Sequence, residues 1–288
     1  MGKKDLVTAR RLVRRMRGQT HAHLIEAGDG CAYVVKFANN PQGGRRTLVN
    51  EFIGSVLLTH LGVATPAPAF VHIGNECGSD IGPLPAGVHF GSRFPGHPDK
   101  TAVYEFLPDA LLPKVHNRDH FIGAVIFDQW VSNDDARQAI FFRPFACPGA
   151  LPAAERGFQA QMIDNGSAFG GRDWTFREST LQGSALPLHG IYSRRAVYRS
   201  DLSVAAFRPW IDALMELPFQ VLREAVAELP EDWIRGDERN LEGLLARLYQ
   251  RRELVLAMAE QVVHSLQANR MRLPPRGEIA RRDILSTG

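Results

Sequence analysis

Six polar side chains, Asp128, Asn133, Asp134, Asp135, Arg137 and Gln138, lie between two apolar runs, Phe121 to Phe127 and Ile140 to Phe142. Taken out of water without partners, each such group costs several kcal/mol, so they must work together or stay wet. One reading is a helix, a tight turn and a strand, with Asn133 and the aspartates as turn formers. The other is a catalytic loop. A second acid serves that reading: Asp164 ends a strand, Phe158 to Ile163, whose Phe158, Ala160 and Met162 face one way, and is itself followed by Asn165 and Gly166. Asp-Asn-Gly alone is equally a plain turn. The chain from Asp135 to Asp164 has room for a strand, a loop and a returning strand, so both carboxylates can meet at one hairpin mouth. Phosphoryl transfer uses such a pair, one acid to orient an acceptor hydroxyl and one to hold Mg²⁺ against the phosphates.

A cation is the third requirement. Cys31 to Phe37 has strand character, with Tyr33, Val34, Val35 and Phe37. On a strand, Val34 and Lys36 share one face and Tyr33, Val35 and Phe37 the other. Lys36 is either a charge that discourages edge-to-edge pairing or a lysine that reaches nucleotide phosphates. Thr47 to Leu61 reads as a helix from Leu48, Phe52, Leu57 and Leu61, stopped by Gly62. Glu51, one residue from its apolar face, is either an exposed helix glutamate or an ion-pair partner that holds Lys36 for a nucleotide.

Taken in order, Val35-Lys36-Phe37, Asn50-Glu51, Asn133-x-Asp135-x-Arg137 and Ile163-Asp164-Asn165-Gly166 resemble the HipA-like kinase domain family, in its stand-alone branch, which is similar to the phosphoinositide-kinase fold. The resemblance spans about residues 15 to 265. It implies an α+β, two-lobed, protein-kinase-like fold with a small β-rich N-lobe and a larger, mainly helical C-lobe. It also implies ATP and Mg²⁺ as cofactors and an unknown phospho-acceptor, a protein Ser or Thr among the candidates. By position, Lys36 would contact the phosphates and Glu51 would orient it. Gly18, Gln19 and Thr20 would lie where the phosphate loop belongs, although that stretch is not glycine-rich. Asp135 would be the catalytic aspartate, Arg137 would stand where relatives place His or Arg, and Asp164 would be the principal metal ligand. Relatives often carry Asn five positions after the catalytic Asp as a second metal ligand. Here that position is Ile140, with Gln138 or Asn133 as substitutes. The departure keeps a second expectation open: a degenerate, non-catalytic nucleotide-binding module that acts through a protein or DNA partner.

The remaining sequence supplies the frame. The chain has 288 residues, 44% of them hydrophobic, enough for one large domain or two lobes. Residues 1–98 read as the nucleotide-binding lobe, 99–268 as the helical lobe with the catalytic and metal loops, and 269–288 as a loose tail rich in Pro, Arg and Gly. Ala9 to Arg17 is a helix turn or a strand, Glu26 to Gly30 a hairpin turn, and Val63 to Ile73 a Pro-broken strand. Asn75 to Phe94 reads as the crossing between lobes. Asn117 to Asp128 is helical. Pro209 to Leu217, Pro218 to Leu229, and one or two helices over Leu241 to Leu266 form the scaffold. Trp174 and Phe176 belong to the core. A formal charge of +3 does not mark a nucleic-acid binder. Cys31, Cys77 and Cys147 have no disulfide or zinc spacing and suit reduced thiols in the cytoplasm. His21 and His23 would share a strand face but lack a third zinc ligand. Met1 to Arg17 has no apolar stretch after it, so no signal peptide is read there, and no run is long enough to span a membrane.

Overall fold

The computed structural model describes residues 6–16, 21–39, 44–75, 84–144, 157–176, 190–198 and 202–271. Strands β1 (Leu6–Arg15), β2 (His23–Ala27), β3 (Ala32–Lys36), β4 (Pro68–Ile73) and β5 (Gly87–Arg93) close into a barrel in the order β1-β2-β3-β5-β4. Neighbours are antiparallel except at the closure, where β1 and β4 run parallel and Leu6 to Thr8 face Phe70 to His72. The β2–β3 turn is built by Asp29. Its carboxylate accepts from the Cys31 N–H at 3.0 Å and from the Tyr33 hydroxyl at 2.7 Å, and Gly30 takes a left-handed φ of 77°. Along β3 the alternation is the expected one. Tyr33, Val35 and Phe37 are buried, while Val34 and Lys36 are half-buried and line a cleft on the other side.

One open alternative resolves here and two expectations change. The stretch that begins at Ala9 is strand as far as Arg15, within β1. The stretch from Asn75 to Phe94 does not serve only as a crossing, because β5 falls inside it and is inserted between β3 and β4. Its alternating Val88, Phe90 and small residues suit a strand approached closely on both sides: a Cβ at Gly91 would lie 2.6 Å from Val71 Cγ2. His21 precedes β2 with φ 45°, so it shares no strand face with His23; the His23 Nδ1 lies 2.8 Å from the His21 carbonyl oxygen.

Helix α1 (Gly44–His60) is the pivot of the molecule. It is buried continuously from Leu48 to Leu58, the pattern of a helix enclosed on every side. Asn50, Glu51 and Ser55 are its polar exceptions, all under 4% exposed. Below the barrel, β6 (Val103–Tyr104), β7 (Gln138–Phe142) and β8 (Gln159–Ile163) form an antiparallel sheet in that order, with Gln138 opposite Ile163. Helix α2 (His120–Val131) runs three residues past the expected end and stops at Ser132, whose φ of 54° turns its N–H back to the Asp128 and Gln129 carbonyls.

Helices α3 (Arg208–Met215), α4 (Phe219–Ala227), α5 (Glu231–Ile234), α6 (Glu238–Gln250) and α7 (Val255–Met271) complete the larger part. Pro209 opens α3, and a 3-10 turn, Arg251–Leu254, divides the last helical stretch in two. Helix α7 runs to Met271, and residues 272–288, most of the stretch expected as a loose tail, lie outside the described residues. Trp174 is buried and Phe176 packs against the core. The two parts are stitched by the Met162 N–H to the Ala64 carbonyl and the Thr65 hydroxyl to the Met162 carbonyl, both 2.8 Å, and by Trp233 Nε1 to the Val88 carbonyl at 3.1 Å. Among the described residues no helix is long and apolar enough to cross a membrane.

Candidate active site

A cleft of about 490 Å³ opens between β3 and the paired strands β7 and β8. Val34, Phe94, Val103, Ile140 and Ile163 give it apolar walls, and Lys36, Glu51 and Asp164 stand together in its lining. The Lys36 ammonium bonds to Glu51 Oε1 and, at 2.9 Å, to Asp164 Oδ1. The two acids come from α1 and from the end of β8, so three remote segments meet at one amine. Burial alone would lower the Lys36 pKa, but Glu51 and Asp164 outweigh it and the net direction is upward. Burial likewise pushes Asp164 up, yet Lys36 prevails and holds that carboxyl below its ordinary value. Lys36 is therefore a held cation and Asp164 a held anion at neutral pH.

The loop after β8 is fixed by α1. Asp164 adopts a left-handed φ of 66°, a conformation that Asp tolerates better than most residues. Its other oxygen, Oδ2, accepts from Gln138 Nε2 at 2.8 Å. Asn165 donates its backbone N–H to Glu51 Oε2 at 3.0 Å and its amide to Ser55 Oγ at 3.2 Å. One turn away, Asn50 Nδ2 lies 2.9–3.0 Å from the Gly166, Ala168 and Gly171 carbonyls, while its Oδ1 accepts from Trp174 Nε1 at 2.8 Å. At the start of α1, Arg46 pairs with Asp237 and donates to the Arg172 carbonyl at 2.9 Å. Such proximity requires a small residue on the helix: a Cβ at Gly54 would come within 2.7 Å of Asn165 Cβ.

The polar knot is a second, drier cluster. Arg137 is 2% exposed and makes a two-pronged ion pair with Asp128, including Nε to Oδ2 at 2.8 Å. It also donates to the Ile163 carbonyl and to Asn165 Oδ1, each at 2.9 Å. Asn133 donates to Asp128 Oδ1 at 2.9 Å and accepts the Asp135 N–H at 3.2 Å, so both ends of its amide are engaged within the turn. Burial raises the Asp128 pKa against the pull of Arg137. Asp135 itself is exposed. Its Oδ1 accepts the Ala136 N–H at 2.7 Å, and Ala136 and Arg137 line the cleft beside it.

The HipA-like kinase family model matches residues 10–261, which takes in β2 to β8, most of β1, the cleft and both clusters. The chain belongs to the HipA-like kinase family. Its fold is similar to that of the Helicobacter pylori proinflammatory kinase CtkA, at 12% identity over 93% of this chain and 98% of that one, with a TM-score of 0.48. It is also similar to the Golgi casein kinase solved with Mn/ADP bound, at 12% identity over 94% of this chain and 74% of that one, with a TM-score of 0.39. No curated protein matches in sequence.

In this HipA-like kinase the cleft thus brings together Lys36, Glu51, Asp164 and Gln138, with Asp135 exposed next to Ala136 of its wall. Gly18, Gln19 and Thr20 lie outside the described residues. Ile140 is half-buried and contributes an apolar surface to the cleft. Arg93, also in the cleft lining, sends its NH2 group to Cys31 Sγ at 3.0 Å. Sequence reasoning assigned no role to Asn50, Ser55 or Asn165. One signal was available: Asn50 stands between Val49 and Phe52 in an apolar helix, where asparagine has low helix propensity and needs a reason.

Proposed function

We propose that the chain transfers the γ-phosphoryl group of ATP to a hydroxyl acceptor, a protein Ser or Thr being one class. The observation that carries this is the half-buried Lys36 ammonium, shared between Glu51 and Asp164 at the cleft. In this reading residues 1–98 are the nucleotide-binding lobe and 99–268 carry the catalytic and metal loops. Lys36 binds phosphate oxygens, and Glu51, locked by the Asn165 N–H, keeps it aimed. Asp135, exposed, accepts the proton of the acceptor hydroxyl as its oxygen attacks the γ-phosphorus and the bond to the β-phosphate oxygen breaks.

The donor set also speaks for a divalent cation. Asp164, held ionised in the cleft, repels a triphosphate brought beside it. Among the described residues no three His, Cys, Asp or Glu side chains gather to cage a metal. A single carboxylate completed by phosphates and water suits Mg²⁺, which is seldom held by protein alone. Asp164 is the residue that would hold it, and when bound it supplies charge neutralisation to the β- and γ-phosphates.

The test is γ-labelled ATP turnover by the purified chain, alone and with generic protein acceptors. Asp135→Ala is expected to abolish transfer while leaving the thermal shift with Mg-ATP in place. Full transfer by Asp135→Ala would overturn the assignment. Ile140 favours a second reading, nucleotide binding without transfer by a module that acts on a protein or DNA partner. A thermal shift with Mg-ATP but no labelled product from the wild type would select it.

A further inference from the structure

We propose that a second pocket, apart from the cleft, binds the dianion of a phosphate monoester. It has a volume of about 340 Å³ and lies between the start of α1, one face of α6 and the loop at Trp174. Its lining shares no residue with that of the cleft. Arg46, Arg239 and Arg247 enter it, against the single carboxylate of Asp173. Arg46 also has Asp237 as a partner, outside the lining. The balance within the pocket is positive and favours an anion. Two of the three guanidinium groups are already placed. That of Arg46 lies over Trp174, 4.5 Å from the ring centre, and donates to Asp237 and to the Arg172 carbonyl. That of Arg247 donates to the Trp174 carbonyl at 3.0 Å and lies 5.8 Å from the Phe176 ring. Each keeps further N–H groups for a ligand, since a guanidinium carries five. Arg239 is exposed and makes no hydrogen bond or ion pair among the described residues.

Helix α6 leaves the room. Arg239, Gly243 and Arg247 follow one another at four-residue spacing, on one face of the helix. Glycine destabilises a helix interior relative to alanine. Packing does not call for it here, because a Cβ at Gly243 would meet nothing within 4 Å. The gap has an arginine one turn to either side, each roughly 6 Å away along the axis, so an anion above Gly243 can engage both. A phosphate suits the gap better than a carboxylate does. It has three free oxygens and close to two charges, and it accepts the planar fork of more than one guanidinium. Thr175 lines the same pocket with an exposed hydroxyl. The phosphate can therefore come on a free small ester, or on Thr175 Oγ1 after transfer from ATP with release of ADP and the hydroxyl proton.

The test titrates glycerol 2-phosphate into the phosphatase-treated full chain by calorimetry at constant ionic strength, with and without a non-hydrolysable ATP analogue and Mg²⁺. Equal affinity in both conditions is expected, because the pocket is separate from the cleft. Arg239→Gln is expected to weaken binding about 10-fold, the scale of one charge-assisted hydrogen bond. Gly243→Glu sets a carboxylate between the two arginines, four residues from each, and is expected to abolish binding while raising the urea midpoint. Peptide mass spectrometry of the untreated chain separates the sources: phosphate on Thr175 selects the chain's own side chain, and an unmodified Thr175 selects a free ester. No binding by the wild type at millimolar ester, unchanged affinity in either variant, or displacement by the ATP analogue overturns the assignment. The outcome is independent of the phosphotransfer reading, since a chain that binds no nucleotide can still give the expected titrations.

Discussion

Replacing Arg137 by Met tests whether the polar knot positions the site. The Asp128 and Arg137 side chains are 0% and 1% exposed, so the change leaves a carboxylate in the interior with only the Asn133 amide beside it. Breaking such a pair from one side costs ~3–5 kcal/mol. The hydrogen bonds to the Ile163 carbonyl and Asn165 Oδ1 are lost as well, worth about 1 kcal/mol each. Proton uptake by Asp128, whose pKa burial already raises, limits the total. A loss of ~4–6 kcal/mol is expected, a large part of the ~5–15 kcal/mol that holds a typical domain. Urea unfolding followed by tryptophan fluorescence reads it, since Trp130 packs against Phe127 in the same helix. Removing both charges, as Asp128→Leu with Arg137→Met, is expected to recover part of the loss, leaving ~2–3 kcal/mol for the unpaired carbonyl, Asn133 and Asn165 groups. A single variant within ~1 kcal/mol of wild type, or a double variant as unstable as the single, would show that Arg137 does not anchor this turn.

Two further outcomes are expected at the site. Gly54→Ala forces α1 away from Asn165 and should cost ~1–3 kcal/mol by overpacking, with a matching fall in nucleotide affinity; an unchanged urea midpoint would refute the close approach. Asp164 has a depressed pKa, so its ionised form stabilises the fold fully above its ordinary value of 3.8, and that contribution disappears as pH falls through the lower folded value. The difference in urea midpoint between wild type and Asp164→Asn should therefore be constant near neutrality and close below about pH 3.8, whereas a gap that persists into strong acid would sink the Lys36–Asp164 pairing.

Much of the site was legible because it consists of charges where charges are costly. Lys36 among valines, and Asp164 at the end of an apolar strand, each stand out against local periodicity, and the structure puts them 2.9 Å apart. The barrel was less visible. Its closure depends on β1 lying parallel to β4 across some sixty residues, and no local pattern encodes a partner at that range. β5 was obscured for a related reason: Gly87, Gly91 and Ser92 look like loop residues until the packing of Val71 and Tyr33 around Gly91 explains why nothing larger fits. Helices α3, α4, α6 and α7 followed from the apolar spacing of Pro209 to Leu217, Pro218 to Leu229 and Leu241 to Leu266, whereas the four-residue α5 is too short to carry such a stripe. Helix α1 hid its polar residues because it has no solvent side, so Asn50 and Ser55 could not be ranked by face.

The bonds from Arg46 and Asn50 have a mechanical corollary. They rivet α1 to Asp237 and to the segment between Gly166 and Trp174, and Asn165 adds a third rivet through Glu51. Glu51 and Asp164 consequently ride on one chassis, while Lys36 rides on the barrel. Rocking of the barrel over that chassis would change the gap between the ammonium and its two acids, and a spectroscopic label on β3 would read that aperture.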